Sequence, residues 1–329
     1  MTDDTFIVIQ KENLFHKSPP ESLDPVVAHK RLIHEAVYTL LAQKVNRAAG
    51  SPLLIPDCEL IFENGMPKEL VTTQIPYNFC GDVFCSGKME LQKIIKNLKF
   101  ASAQTLGYLL ADPDRSNNTG FNKNRFSEIT HMCCIDFGLS DYAWLEENHL
   151  LLKKEHDRLP KELSYATFQI THQPLGKIFS RRRPDQKHHY HYVFTLIHDT
   201  PFDGIPAELN KLNAEDKSNF LNEIKRLLTA YITVTTKADF KNCLLTDLLG
   251  QYQASETSLN TMNKLIDRII MRGTNLKDNY NPTKFSENDL SKLLDRYADI
   301  ADLAALMEQD EKFIPLREPE KENTQCNFS

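Results

Sequence analysis

The sequence predicts a mixed α+β protein, in which the first 75 residues hold strands and one helix and the remainder is mainly helical. Residues 5–11 are rich in β-branched side chains, residues 26–45 repeat apolar positions at helical spacing, and Asn64-Gly65 between two apolar runs is typical of a β-hairpin turn. Beyond Asp141, the strongest helical periods lie in residues 217–231, 259–271 and 289–307.

The N-terminal part begins with a predicted strand at residues 5–11. The polar, proline-containing residues 12–25 that follow predict a loop. The helix at residues 26–45 contains Glu35, and residues 50–52, Gly-Ser-Pro, are expected to end it.

A predicted hairpin comes next. Short strands are expected at residues 53–56 and 59–62, and the turn at residues 63–65 leads into a strand at residues 69–75. A connector containing proline and glycine follows, and residues 88–110 then predict a long, mostly buried helix.

The second part opens with a polar loop at residues 111–124 and a short apolar strand at residues 132–135. We expect a first domain at residues 1–80 and a helical second domain at residues 81–317. The polar residues 318–329 are expected to form a mobile tail.

Composition and charge narrow the class of protein. The formal net charge of −6 does not favour nucleic acid or a membrane surface as the main partner. No apolar run approaches the ~18 residues of a transmembrane segment, and residues 1–4 show no signal-peptide pattern. The seven cysteines are odd in number and lack C-x-x-C spacing, so we expect free thiols in a reducing cytosol.

Two neighbouring elements hold a pattern suited to phosphoryl transfer. Asp112 and Asn117 lie five residues apart in the polar loop, and the apolar strand runs into Ile135-Asp136-Phe137-Gly138. Transfer from ATP needs a carboxylate near the acceptor hydroxyl, and oxygen ligands for the divalent ions that bridge the phosphates. The pattern predicts Asp112 as the base, with Asn117 and Asp136 as ligands of Mg²⁺ or Mn²⁺.

The two elements resemble the catalytic loop and the metal-binding Asp-Phe-Gly of the protein-kinase superfamily. Asp-x-Asp-Arg and Ile-Asp-Phe-Gly are also similar to phosphoinositide kinases and HipA-type relatives, and the chain resembles the Legionella type of secreted effector kinase. The resemblance covers about residues 5–140. It implies a bilobal protein-kinase-like fold with a reduced N-lobe and a mainly helical C-lobe, ATP and Mg²⁺ as cofactors, and action in a host-cell cytosol after secretion.

Two aspartates of the polar loop are candidates for the catalytic base. Asp112 with Asn117 has the spacing of the family. Asp114 precedes an arginine, as in related Asp-Arg-His loops, and would act with Asn118 as metal ligand. An unrelated loop rich in Asp and Asn beside a strand-end turn is the other interpretation.

The resemblance also implies a strand lysine that holds the ATP phosphates and pairs with a helix glutamate. Lys11, in the run Val8-Ile9-Gln10-Lys11, is predicted as this lysine and Glu35 as its partner, with Lys17 as the alternative and solvated surface charges as the plainer interpretation. Only ten residues precede Lys11, and the chain has no Gly-x-Gly-x-x-Gly, His-Arg-Asp or Ala-Pro-Glu. A Gly-rich loop over the phosphates is therefore not expected.

A basic segment at residues 177–191 is unusual in this acidic chain. Arginine forks and lysine charges suit clustered phosphates, so the segment predicts a site for an inositol polyphosphate, such as inositol hexakisphosphate, or a phosphoinositide headgroup. The alternatives are a solvated basic loop, a site for an acidic protein substrate or nucleic acid, and metal binding by the clustered histidines. The predicted contact residues are Lys177, Arg181, Arg182, Arg183, Lys187, His188 and His189.

Together the resemblance to kinases and the basic segment predict an ATP- and Mg²⁺-dependent kinase that phosphorylates Ser or Thr hydroxyls of a protein and is activated by an inositol polyphosphate. The alternatives are a phosphoinositide or small-molecule kinase, an AMP-transferase on a kinase-like fold, and a module that binds partners without catalysis.

Overall fold

The computed structural model describes residues 6–75, 78–79, 98–110, 112, 118–123, 129–152 and 213–279. The strands are β1 Ile7–Lys11, β2 Leu14–Ser18, β3 Leu53–Leu54, β4 Cys58–Glu63, β5 Met66–Thr73, β6 Asn78–Phe79, β7 Thr119–Lys123 and β8 Ile129–Cys134. The helices are α1 Pro25–Ala48, α2 Leu98–Leu110, α3 Tyr142–Glu147, α4 Ala214–Thr235, α5 Phe240–Leu249 and α6 Glu256–Asn279.

The first sheet has the strand order β1-β2-β5-β4 and is antiparallel throughout. Its β4–β5 turn places both Asn64 (φ +52°) and Gly65 (φ +77°) at positive φ. Two such residues in succession are typical of the type I′ hairpin turn, whose twist matches that of the flanking strands. The Asn-Gly dipeptide therefore explains this hairpin locally.

The second sheet has the order β3-β8-β7-β6, with β3 parallel to β8 and an antiparallel β7–β8 hairpin at its centre. β3 and β6 precede residue 80, yet they pair with strands that follow residue 118. This sheet therefore crosses the expected domain boundary at residue 80.

Helix α1 lies at the centre of the described structure. The Asp24 carboxylate accepts hydrogen bonds from the backbone N–H groups of Val26 and Val27, and Pro25 occupies the first turn, where its missing N–H is harmless. The helix packs against β4 and β5 on one side and against α4, α5 and α6 on the other. Most of its middle is buried, as expected for a helix enclosed on several faces.

One hydrophobic core joins the two sheets and the helices. α1 contributes Val37 and Leu41, the first sheet contributes Leu60 and Leu70, and α6 contributes Ile269, all almost fully buried. Because the core is continuous, the elements that carry the candidate site are held against one another.

The predicted mixed α+β class is confirmed, as are the first strand, the central helix, the Asn64-Gly65 hairpin and the helices around residues 217–231 and 259–271. The predicted loop at residues 12–25 is wrong at its start, because residues 14–18 form β2. The loop at residues 111–124 likewise contains β7. Both strands lack strong β-propensity and form through pairing with their neighbours. The expected helix at residues 289–307 and the tail lie outside the described residues.

Within the described residues, no helix combines the length and the apolar character needed to cross a membrane. The four cysteines that the structure describes, Cys58, Cys133, Cys134 and Cys243, are free thiols.

Gly65 connects the first sheet to the start of α6, and replacing it tests that contact. A Cβ there would lie 2.8 Å from the Ser255 nitrogen, and the Gly65 carbonyl accepts hydrogen bonds from Ser255 and Ser258. We expect Gly65→Ala to lower the free energy of unfolding by about 2–4 kcal/mol in urea denaturation, since strain at positive φ and a backbone clash add.

Gly50→Ala is the matched control. Gly50 also has positive φ (+58°), but a Cβ there would lie 3.6 Å from the nearest atom, an ordinary contact. It should lose only about 1–2 kcal/mol. Equal losses in the two variants would show that the Gly65–Ser255 contact is not tight.

Candidate active site

Three charged side chains from three different elements meet beside α1. The ammonium of Lys17, on β2, lies 2.5 Å from Oε2 of Glu35 on α1 and 3.7 Å from Oδ1 of Asp136, which follows β8. Glu35 is buried and Lys17 is largely buried, whereas 51% of the Asp136 side chain is exposed. One cation therefore holds two carboxylates, and only one of the carboxylates faces solvent.

The register of the first sheet places the Lys17 side chain on the face of the sheet that packs against α1. Lys17 lies opposite Leu70 of β5 and opposite Val8 of β1, and directly opposed residues point to the same side of a sheet. Leu70 is fully buried in the core beside α1. The Phe6 ring, 5.5 Å from the Lys17 nitrogen, packs beside the ammonium on the same side.

The neighbouring charges shift the pKa values of both Lys17 and Glu35. Burial opposes the charge on Lys17, but Asp136 and Glu35 outweigh it and raise the pKa of this lysine above its ordinary value. Burial also raises the pKa of Glu35; Lys17 opposes that rise, and Asp136 adds to it. Of the two carboxylates, only Asp136 is open to a cation from solvent.

The turn after β8 is tightly packed around Asp136 and Gly138. Asp136 adopts a positive φ of +47°, and its Oδ1 accepts a hydrogen bond from the Gly138 N–H at 3.2 Å. A Cβ at residue 138 would lie 3.0 Å from both Asp136 Oδ1 and Glu35 Oε2. The absence of a side chain at Gly138 thus allows Glu35 and Asp136 to approach each other.

Asn118 joins this turn from the start of β7. Its backbone carbonyl accepts from the Ile135 N–H at 3.0 Å, and its amide nitrogen donates to the Asp136 carbonyl at 3.4 Å. The β7–β8 hairpin therefore brings the predicted metal ligand Asn118 next to Asp136, although 17 residues separate them along the chain. Asn117 lies outside the described residues.

Asp112 follows α2 and is fully buried. Its backbone N–H donates to the Gly107 carbonyl at 2.9 Å, and its Oδ2 accepts from the Ser140 hydroxyl at 3.5 Å. A general base must contact the acceptor hydroxyl. Full burial suits a carboxylate that holds the turn around Ser140 better than one that meets a substrate.

The ion pair predicted between Lys11 and Glu35 is not present, because Lys17 pairs with Glu35 instead. Lys11 is exposed and lies three residue pairs along the β1–β2 hairpin from Lys17, about 10 Å away. The error follows from reading β2 as a loop. Glu35 and Asp136, two of the predicted site residues, both contact Lys17.

Several predicted site residues are not described by the structure. These are Asp114, Asn117 and the basic segment with Lys177, Arg181, Arg182, Arg183, Lys187, His188 and His189. Within the described part of the chain, no three His, Cys, Asp or Glu side chains are grouped to hold a metal ion. A cation at Asp136 would have the neighbouring Asn118 amide as a further ligand, and Mg²⁺ usually fills its other positions with waters and substrate phosphate oxygens.

A buried charged cluster next to the site escaped the sequence analysis. Asp141 accepts hydrogen bonds from the Tyr38 hydroxyl (2.9 Å) and from Nε and Nη2 of Arg268 (2.7 and 3.2 Å), and Arg272 lies 3.1 Å away. Burial works against the Asp141 carboxylate, but the two arginines outweigh it and hold its pKa well below the ordinary range. The available signal was Arg272, which takes a position in the apolar stripe of α6 next to the buried Ile269.

In comparisons of the whole chain, no protein-family model, no curated protein and no solved structure matches it significantly.

His34, the residue before Glu35, packs into the core beside this site. Its ring stacks on Trp144 with centroids 5.3 Å apart and an interplanar angle of 12°. Burial, reinforced by Arg31 and Arg268 and opposed by Asp141, lowers its pKa from 6.5 to about 3. Between about pH 6.5 and pH 3, His34 is therefore neutral in the folded chain, whereas the unfolded chain protonates it.

This pKa predicts a loss of stability in mild acid. The stabilisation from a neutral His34 is complete above its unfolded pKa of 6.5 and is lost as the pH falls towards 3. Below pH 6.5 the free energy of unfolding should fall by up to about 1.4 kcal/mol per pH unit more in the wild type than in His34→Gln. Urea titrations followed by the fluorescence of Trp144, the single tryptophan, measure both. Equal slopes between pH 6.5 and about 5 would contradict the burial of a neutral His34.

Proposed function

We propose that the chain is an ATP- and Mg²⁺-dependent kinase that transfers phosphate to Ser or Thr hydroxyls of a protein. The observation that carries the proposal is the meeting of Lys17, Glu35 and Asp136. They come from a strand, a helix and the end of a second hairpin, and a strand lysine, a helix glutamate and a metal-binding aspartate are the parts that hold ATP in kinases.

The chain order of the elements supports the same proposal. The lysine strand β2 is followed by the glutamate helix α1, then by the β4–β5 hairpin, α2 and the β7–β8 hairpin, which leads into Asp136-Phe137-Gly138. A lysine strand, a glutamate helix and an Asp-Phe-Gly turn follow one another in this order in kinases. Among the described residues, the strand β1 alone precedes the lysine strand. The reduced N-lobe of a two-lobed kinase fold forms part of the proposal.

Each residue of the group has a definite task in such a reaction. Lys17 would donate hydrogen bonds to the phosphates of ATP, and Glu35, buried behind it, would fix the direction of its ammonium. Asp136, whose side chain is half exposed, would hold Mg²⁺ with the help of Asn118. When bound, Mg²⁺ supplies positive charge that neutralises the phosphate oxygens.

The base is assigned by elimination between the two loop carboxylates. Asp112 is buried against Ser140, so we favour it as the residue that holds the turn after Phe137. Asp114, next to Arg115 in the sequence, is then the proposed base.

Val8 provides a surface for the nucleobase. It lies directly opposite Lys17, on the same face of the sheet, and 56% of its surface is exposed. An exposed apolar side chain next to a phosphate-binding lysine suits a flat ring that is attached to phosphates.

The first test is transfer of label from γ-labelled ATP to a generic protein substrate in the presence of Mg²⁺. Lys17→Met should lower kcat/KM by at least about 100-fold, because the phosphates lose their charged donor. Lys11→Met is the matched control on the neighbouring strand and should leave the rate unchanged, since Lys11 is exposed and distant.

An added arm with inositol hexakisphosphate tests the predicted activation through the basic segment, which lies outside the described residues. Rate enhancement that Arg181→Ala, Arg182→Ala and Arg183→Ala remove together would support it. The mass of the modified product distinguishes phosphate from AMP.

Equal activity of the Lys17 and Lys11 variants would refute the assignment of Lys17.

A second test addresses the nucleobase surface. Val8→Asp should raise the KM for ATP by about tenfold or more, because a carboxylate would stand where the apolar ring lies and would repel the phosphates. Ile9→Asp is its control, as Ile9 has similar exposure (49%) but points to the opposite face of β1. Steady-state kinetics with varied ATP measure both. The same KM in both variants would mean that ATP does not bind on the Lys17 face.

A further inference from the structure

The Asp141 joint, defined here as Asp141 with Tyr38, Arg268 and Arg272, ties together elements that are distant in the chain. The Asp141 side chain binds Tyr38 of α1 and the two arginines of α6. Its backbone N–H donates to the Leu110 carbonyl at the end of α2, at 2.8 Å, and its carbonyl accepts from the Trp144 N–H at the start of α3, also at 2.8 Å. Four helices therefore meet at one residue.

The joint is close to the candidate site along two routes. Tyr38 follows Glu35 by three residues on α1, so both side chains lie on neighbouring positions of one helix face. Asp141 ends the short turn that begins at Asp136, and the neighbouring Ser140 hydroxyl donates to Asp112. One side of the joint thus fixes the helix that carries Glu35, and the other fixes the turn that carries Asp136.

The contact between Glu35 and that turn leaves little room for movement. A Cβ on Gly138 would come within 3.0 Å of Glu35 Oε2, and Lys17 spans the distance between Glu35 and Asp136. A small shift of α1 relative to the turn would separate Lys17 from one of its two carboxylates. The geometry needed for phosphate binding then depends on whatever holds α1 to the turn.

We propose that Asp141, Tyr38 and Arg268 are positioning residues: by attaching α1 and the turn after β8 to α6, they set the distance between Glu35 and Asp136. This inference rests on the proposed function for its effect on catalysis. Arg268 also pairs with Glu147 of α3, at 3.1 Å, so its guanidinium holds two segments that follow the Asp-Phe-Gly sequence. None of these residues touches the substrate; they act through Glu35 and Asp136.

Two mild variants test the proposal, because Asp141→Asn would leave two buried arginines without their carboxylate and risks unfolding the chain. Tyr38→Phe removes one hydroxyl, and Arg268→Lys keeps the charge but loses the planar fork. Asp267→Asn is the control: its exposed side chain pairs with Lys241 at 2.6 Å, next to Arg268 but away from the joint.

The first measurement is kcat for phosphate transfer. The second is the rate at which an amine-reactive acetylating reagent modifies Lys17, followed by mass spectrometry. Both are made at a temperature at which every variant is folded. We expect kcat to fall about tenfold in Tyr38→Phe and Arg268→Lys. Acetylation of Lys17 should accelerate, because a wider separation of Glu35 and Asp136 releases its ammonium from one carboxylate and exposes it to the reagent. The control should match the wild type in both.

A lower Tm with unchanged kcat and unchanged Lys17 labelling would overturn the proposal and leave the joint with a stabilising role only. If the wild type transfers no phosphate, the proposed function fails. The labelling rates then still decide, because faster modification in the two variants supports the joint and equal rates overturn it.

Discussion

The rest of the site depends on the ion pair between Lys17 and Glu35, made where water is largely excluded. A buried carboxylate is costly unless it is paired, and removal of one partner from such a pair commonly destabilises a protein by about 3–5 kcal/mol. The chain retains this pair beside a second, half-exposed carboxylate, Asp136, that Lys17 alone does not neutralise. Because 51% of the Asp136 side chain is exposed, a divalent cation with its phosphate ligands would reach this carboxylate from solvent.

The same pair explains why α1 lies at the centre of the described structure. Glu35 must face Lys17 on the first sheet and the turn at Gly138 at the same time, so α1 contacts both the sheet and the helices that follow. Asp141 then attaches α1 and α6 to the other end of that turn. The charged groups and the hydrophobic core therefore impose one arrangement of α1, the turn after β8 and α6.

The features that could be predicted from the sequence are those that short stretches of the chain specify by themselves. Asn64-Gly65 specifies its turn with its own dihedral preferences, and Asp136 stands in a short motif that follows an apolar strand. Lys17 was only an alternative, because β2 has no strong strand pattern of its own and exists through its pairing with β5. Arg272 is a further example: its buried partner lies more than 100 residues away, and a sequence pattern does not give such a distance.

The most direct test of the account is a calorimetric titration of the wild-type chain with a non-hydrolysable ATP analogue, with Mg²⁺ and with a chelator, beside Asp136→Asn. We predict saturable binding that requires Mg²⁺ in the wild type, and that loses its dependence on the metal when the Asp136 carboxylate becomes an amide. Absence of binding under every condition, or equal binding with Mg²⁺, with chelator and in the variant, would contradict the claim that Lys17, Glu35 and Asp136 form a site for a metal-bound nucleotide.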